Sequence, residues 1–284
     1  MLERALGTTG LSGSLVGLGC GALGELDEAA AAGLVHAALE LGVRVFDTAR
    51  SYGESEARLG RALAGREALV VTKGGYGVEG AEDWTPAAVR GGIERALRTL
   101  GRDCLDVFLL HSCGAGLLAR GELLEPLLEA KRAGKVRAVG YSGDGEALEH
   151  AVRCGAFDAV ECSVSLLDQA ALRAAIPEAS RRGAGVIAKR ALGNAVWRHP
   201  TRPPRADEAA LWDRLRAMGG ATTELAVRFA AFAPGVSWTL VGTRSAEHLA
   251  AAVRACALGP LPPPTTEALR ERFVQAGASW PGVV

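Results

Sequence analysis

Four residues in the first half of the chain have the types and spacing for joint proton chemistry: Asp47, Tyr52, Lys73 and His111. Asp47 closes the apolar run Val43-Arg44-Val45-Phe46, and Tyr52 follows five residues later in the segment Ser51-Tyr52-Gly53. Lys73 closes Leu69-Val70-Val71-Thr72, and His111 closes Phe108-Leu109-Leu110. A polar residue directly after an apolar strand stands at the strand's C-terminal mouth, where α/β folds collect their chemistry. Free tyrosine titrates near ~10 and is a poor acid at neutral pH. A lysine ammonium within hydrogen-bonding reach favours the phenolate and lowers that value. An aspartate paired to the lysine keeps it charged and fixed, and a histidine beside the phenol can orient a carbonyl oxygen. Together the four form a device for protonating a carbonyl oxygen while a hydride reaches its carbon. The sequence shows no metal-ligand spacing that would polarise the carbonyl instead, and the hydride would come from a bound nicotinamide.

Taken singly, each residue has a plainer reading. A strand-terminal aspartate is often a helix cap or turn residue. Tyr52 alone would be a half-buried surface aromatic, Lys73 a solvated cation and His111 a structural histidine. Their conjunction at the ends of three successive strands favours the chemical reading.

The elements that must hold these residues alternate. Apolar strand-like runs cover Leu15–Leu18, Val43–Phe46, Ala68–Thr72, Leu105–Leu110, Val136–Gly140, Phe157–Cys162, Gly185–Lys189 and Val236–Val241. Helical patterns fall between and after them, near Glu28–Leu41, Glu54–Ala64, Pro86–Leu100, Glu122–Ala133, Gly145–Arg153, Gln169–Arg181, Glu208–Phe232 and Ala246–Ala255. Strands that read as continuous apolar runs are covered on both faces. Eight strand–helix units in about 250 residues predict a parallel (β/α)8 TIM barrel, one domain over residues 1–284, with a last helix running to about Ala276. The proline-rich stretch Trp197–Ala206 reads as a loop inserted after the seventh strand. A competing pattern is Gly19-Cys20-Gly21-Ala22-Leu23-Gly24, which fits G-x-G-x-x-G after the first strand. With Asp47 some 20 residues on, it has the parts of a Rossmann dinucleotide fingerprint. That reading leaves Tyr52, Lys73 and His111 without roles.

The segment Phe46-Asp47-Thr48-Ala49-x-x-Tyr52-Gly53-x-Ser55-Glu56-x-x-Leu59-Gly60 resembles the signature of the aldo-keto reductase family. Thr72-Lys73 and Leu110-His111 resemble that family's next two motifs. Lys135-Val136-Arg137-Ala138-Val139-Gly140-Tyr141-Ser142 resembles its fifth-strand motif, and Val241-Gly242-Thr243-Arg244-Ser245 its late phosphate loop. The resemblance spans roughly residues 6 to 255. It implies a (β/α)8 barrel that reduces aldehydes and ketones with NAD(P)H and has no Rossmann domain. Tyr52 would be the general acid, Lys73 and Asp47 its tuners and His111 the residue that orients the carbonyl.

The same resemblance implies where the cofactor would lie. Ser142 matches a serine that holds the nicotinamide carboxamide, but Gly143 replaces the usual asparagine after it. Glu161 stands where the family has glutamine; an ionised carboxylate accepts a hydrogen bond from the amide NH2 but donates none. After strand seven, Lys189-Arg190-Ala191-Leu192 replaces an aromatic that would stack on the nicotinamide, and its two cations suggest phosphate contacts. Gly242 allows close approach of a phosphate, Thr243 can cap the following helix, and Arg244 could clamp the pyrophosphate or a 2′-phosphate. His248 stands on the adenine side, while Ala251-Ala252 replaces an adenine-binding Glu-Asn pair. With Gly19 and Leu192 these residues make up the candidate cofactor contacts. NADPH is expected, NADH being possible, and no metal.

Lys plus Arg and Asp plus Glu both number 32, so the net charge is zero and offers no electrostatic case for a nucleic-acid or membrane partner. Six cysteines without a C-x-x-C pair are expected to be free and mostly buried in a reducing cytoplasm. The expected partner is a small carbonyl or alcohol substrate; oligomeric state is open. Substrate identity would lie in loops around Trp84, Cys113–Ala119, Trp197–Arg205 and the tail with Trp280. A second reading keeps the barrel but makes it a non-catalytic protein that binds nicotinamide cofactor as a regulatory ligand.

Overall fold

The computed structural model describes residues 1–277; Trp280 lies outside them. Its strands are β1 (Glu3–Ala5), β2 (Ser12–Ser14), β3 (Val16–Gly19), β4 (Val45–Asp47), β5 (Leu69–Gly74), β6 (Leu105–His111), β7 (Val136–Ser142), β8 (Ala159–Ser163), β9 (Gly185–Lys189) and β10 (Trp238–Gly242). β3 to β10 form a closed parallel barrel in chain order, with β10 pairing back onto β3 through Gly242↔Gly19. The helices around it are α1 (Glu28–Glu40), α2 (Ser55–Ala62), α3 (Pro86–Leu100), α4 (Ala115–Ala119), α5 (Leu124–Arg132), α6 (Gly145–Cys154), α7 (Ala175–Arg181), α8 (Ala206–Ala217), α9 (Thr223–Ala231), α10 (Ala246–Ala257) and α11 (Pro263–Gln275). The predicted TIM barrel is thus the observed fold. A closed barrel is incompatible with an open, doubly wound sheet, so the Rossmann reading is overturned.

The side-chain period of two explains how the barrel positions its chemistry. Val45, Val71, Val107, Leu109, Ala138, Ala159, Ile187, Trp238 and Leu240 pack together as one cluster in the barrel interior. Their neighbours of opposite parity, such as Phe46, Val70, Phe108 and Val160, pack outward in the cluster shared with the helices. Two residues beyond an interior apolar residue, on the same face, come Asp47, Lys73, His111, Glu161 and Lys189. The polar ring is therefore the next inward layer, at the C-terminal mouth.

Local signals set the helix ends. Thr85 accepts from the backbone N–H of Ala88, Pro86 opens α3, and Gly101 at φ +63° closes it. Asp27 caps α1 in the same way through Ala30.

Several boundaries differ from expectation. Most barrel strands run one or two residues further at their C-terminal ends, carrying Asp47, Lys73, His111 and Ser142 inside the ladder. The stretch expected as one helix over Glu208–Phe232 is two, α8 and α9, because Gly219 and Gly220 take φ of +81° and +87° between them. Of the Gln169–Arg181 helix, only a short turn at Ala170–Leu172 and α7 form. The antiparallel pair β1–β2 was not foreseen; Leu6 and Leu11, on the chain between its strands, join the interior cluster at the barrel's N-terminal end. Four of the six free cysteines are buried, whereas Cys104 is partly buried and Cys154 exposed. No described helix is long and apolar enough to cross a membrane.

Candidate active site

Asp47 and Lys73, 4 % and 1 % exposed, meet in a buried ion pair, and the Lys73 ammonium also donates to the Thr48 carbonyl at 3.1 Å. That ammonium lies 5.5 Å from the centre of the Tyr52 ring, and the His111 ring meets Tyr52 edge-on with centroids 6.0 Å apart. All four residues expected to act together are together.

The loop that carries Tyr52 is held from behind. Ser55 donates to the carbonyl of Cys20 at 2.8 Å and shares a 2.9 Å hydrogen bond with Thr48. Glu56, 1 % exposed, accepts from Thr72 on β5 at 2.7 Å and pairs with Arg95 at 2.6 Å. Gly24 packs so closely that a Cβ there would lie 2.0 Å from the Tyr52 carbonyl oxygen. The glycine run after β3 therefore supports the tyrosine loop, which is a different use from a pyrophosphate turn.

Two residues modify the expected electrostatics. Glu161, 2 % exposed, puts Oε2 3.3 Å from the Lys73 ammonium and accepts from Ser142 through Oε1 at 3.0 Å. Tyr76 lies in the loop after β5, with its hydroxyl 3.1 Å from Nδ1 of His111 and its ring against Trp84. For Tyr52 the Lys73 ammonium is the largest single influence and pulls the phenol down. Burial and the carboxyls of Asp47 and Glu161 outweigh it, and the phenol is pushed up to about 12. The expectation of a lowered phenol thus fails in its net direction, because it left out the burial of the phenol and the repulsion of its anion by Asp47 and Glu161. Burial, reinforced by Lys73, pushes His111 down to about 4, so its ring is neutral at physiological pH. Burial drives the Lys73 ammonium towards neutrality, but Asp47 and Glu161 more than reverse this and hold its pKa above the usual range.

A cavity of about 450 Å³ opens at this mouth, lined by Asp47, Tyr52, His111 and Glu161, with Gly19 and Gly242 at its wall. Lys189, Arg190 and Leu192 also line it. A neighbouring space of about 720 Å³ shares Leu192 and Gly242 and extends past Thr243, Arg244 and His248 to Ala251. Together they form a continuous trough from the barrel axis to the start of α10. Ser142 is fully buried behind Glu161 and reaches no cavity wall. Lys189 bonds Ser142 at 3.3 Å and lies 3.6 Å from Asp144, and Arg190 (φ +55°) lies 3.4 Å from the same carboxylate. The cap of α10 is Ser245, which accepts from His248 N–H; Thr243 instead accepts from Ser245 N–H and braces the turn before it. Arg244, which lines the second space, forms an exposed ion pair with Glu25. Arg198 was not picked out from the sequence, yet it lines both cavities. A cation between proline-rich and strand segments carries no motif; only the fold brings it there.

Another cavity, about 970 Å³, lies at the other end of the barrel among Arg44, Arg66, Arg98 and Arg102. Arg44 bonds the carbonyls of Leu39 and Val43, and Arg102 that of Ala68 and the Asp106 carboxylate. Arg44 and Arg102 thus brace the segments that lead into β4 and β5, at the face that stabilises such barrels rather than the face that reacts.

The Aldo/keto reductase family model matches residues 15–271, and the chain belongs to that family. Among curated proteins it is 31 % identical over 278 residues to L-galactose dehydrogenase of Arabidopsis thaliana, covering 87 % of this chain and 85 % of that one. It is 36 % identical over 155 residues to 6-dehydroglucose reductase of Novosphingobium aromaticivorans, covering 49 % and 50 %. Among solved structures, an aldo-keto reductase from Bacillus halodurans in its holo form superposes with a TM-score of 0.84 at 25 % identity, covering 96 % of each chain. A putative aldo-keto reductase from Pseudomonas aeruginosa gives 0.72 at 30 % identity, covering 94 % of this chain and 96 % of that one. Family and fold together make an oxidoreductase.

Proposed function

We propose that the protein reduces an aldehyde or ketone to an alcohol, or runs the reverse reaction, with NADPH or NADH. The observation that carries this is the buried Asp47–Lys73 pair beneath Tyr52, with His111 edge-on beside it and Asp47, Tyr52 and His111 lining one cavity. The residues present suit a dinucleotide. Glu161 Oε2 is a buried oxygen without a hydrogen-bond donor at the cavity wall. Gly19 and Gly242 approach so closely that a Cβ on Gly19 would lie 3.3 Å from Gly242. Beyond them, Arg198, Arg244 and the N-terminus of α10 offer donors and positive charge to phosphates. The Glu25 carboxylate now on Arg244 marks an anion position that a phosphate could take over. When bound, the nicotinamide supplies or receives the hydride.

Within this reading, the Tyr52 hydroxyl donates its proton to the carbonyl oxygen, and Lys73 stabilises the phenolate that results. A phenol at about 12 stays protonated throughout the neutral range but is a weaker acid than free tyrosine, so its proton transfer depends on Lys73 stabilising the phenolate as the hydride arrives. The Tyr76 hydroxyl and Nδ1 of His111 share a hydrogen bond; with the hydroxyl as donor, as this reading takes it, the neutral ring carries its proton on Nε2, where it can hold the carbonyl oxygen. Asp47 keeps Lys73 charged. The names of the two curated relatives direct the substrate search to sugars and their oxidised forms.

The test compares wild type with Tyr52→Phe in NADPH and NADH binding and in single-turnover reduction of an aldehyde and sugar-carbonyl panel. The substitution keeps the ring and removes the donor. Reduction falling by about 10²- to 10⁴-fold with cofactor affinity kept within a few-fold is the expected result. Equal rates in both proteins would remove Tyr52 from the mechanism, and binding without turnover in either would favour the regulatory reading.

A further inference from the structure

Two buried carboxyl groups contend for one ammonium at the cavity floor. Asp47 and Glu161 lie within hydrogen-bonding reach of each other, and Lys73 contacts both. Oε1 of Glu161 accepts from Ser142, but Oε2 has no donor even though the Lys73 ammonium is 3.3 Å away. Two ionised carboxylates in contact repel, and an acceptor-only pair leaves that oxygen unsatisfied. One proton between the two groups removes both costs. Such a pair titrates as a unit.

We propose that Asp47 and Glu161 hold one proton between them and release it when the oxidised, cationic nicotinamide binds, so that the site tells the two redox forms of its cofactor apart by pH. This rests on the reductase reading above. Burying a further positive charge beside Lys73 is costly unless a negative charge appears with it. The proton leaving to solvent supplies that charge: the neutral carboxyl becomes a carboxylate as the cation arrives. The reduced nicotinamide is neutral and asks for no such change. An amide at position 161 would leave no shared proton to release.

The surroundings isolate the pair. It is faced by Lys73 from β5 and Lys189 from β9, both cations, and by His111 from β6, which burial holds neutral down to about 4. Tyr52 stays protonated up to about 12. The Cys20 thiol after β3 is kept neutral by burial and by Asp47. Arg190 and Asp144 stand further out and lie 3.4 Å apart. Burial and Glu161 hold Asp47 well above the usual carboxylate range. Lys73 and Lys189 overcome the burial of Glu161 and hold it low, and the shared proton belongs to the pair rather than to either carboxyl.

The sign follows directly. Below the apparent pKa of the pair, oxidised cofactor must displace a proton, so its affinity rises with pH by up to about tenfold per unit, and it levels off above that pKa. The reduced form shows no such slope. Calorimetry in buffers of different ionisation enthalpy, from pH 5.5 to 9, reads proton release for NADP⁺ and NADPH binding. The 2′-phosphate is common to both and cancels in the difference. The expected result is up to one more proton released per site with NADP⁺ in the wild type, and no difference in Glu161→Gln. Equal release with both forms in the wild type overturns the proposal while leaving the reductase reading intact, as does a difference that persists in Glu161→Gln. Failure of either nucleotide to bind overturns both.

Discussion

Tyr76, outside any motif, is the residue through which the proposed chemistry can be tested at His111. Its hydroxyl meets Nδ1 of His111, and its ring rests on Trp84, which itself takes φ +60°. Removing the hydroxyl with Tyr76→Phe frees the imidazole tautomer without opening a hole. A drop of about two- to tenfold in kcat/KM is expected, the size of one net hydrogen bond of about 0.5–1.5 kcal/mol. The histidine ¹⁵N shifts report the same event: they should show a mixture of tautomers in the variant and one in the wild type, an effect that general loosening would not reproduce. Asp47, Tyr52, Lys73 and His111 were legible because each sits at or just after an apolar run. Tyr76, between Gly75 and Gly77 three residues beyond Lys73, carries the signal of an aromatic in a glycine-rich mouth loop, which is weak alone. The net direction of the Tyr52 shift was not legible, since it depends first on how deeply the fold buries the phenol, and then on Asp47 and on Glu161, which arrives from a strand far along the chain.

At the scale of elements, the turn after β3 and the loop after β4 behave as one unit. Gly24 admits the Tyr52–Gly53 backbone, and Ser55 bonds Cys20. Gly24→Ala forces its methyl against the Tyr52 carbonyl and must displace that loop. About 1–3 kcal/mol of stability should be lost in urea titrations, with turnover falling more than cofactor affinity. Gly33→Ala is the matched control: it lies on the exposed face of α1 with nothing within 4 Å, and should stabilise by up to about 1 kcal/mol with turnover unchanged. The elements best read in advance were the interior strands, whose long apolar runs leave one interpretation. β1 and β2, as Glu-Arg-Ala and Ser-Gly-Ser, are too short and polar to alternate visibly. The α8–α9 break was hidden because helical periodicity continues on both sides of Gly219-Gly220.

For the whole molecule, the N-terminal segment closes the barrel from below. Arg4 donates to the carbonyls of Ala231 and Val236, both at 2.8 Å, and Trp238, fully buried among Leu6, Leu11 and the strand valines, donates its indole N–H to Arg4 O at 2.9 Å. Trp238→Ala removes the largest fully buried side chain. It should cost about 3–5 kcal/mol in denaturant titration. Cofactor affinity measured in buffer should stay within a few-fold, because the site stands on the opposite layer of the barrel. A variant that remained as stable as the wild type would deny the segment its role as a plug.

That plug has a bearing on how such a chain can be changed. Since the interior is filled and sealed at one end, the trough at the other end is the route that the proposed cofactor and substrate would share. In the proposed reaction a substrate entering over a seated dinucleotide would follow it in, and its product would leave first. Redesigning the rim around Trp197 and Arg198 would then alter which molecule is accepted without altering the sequence of arrivals.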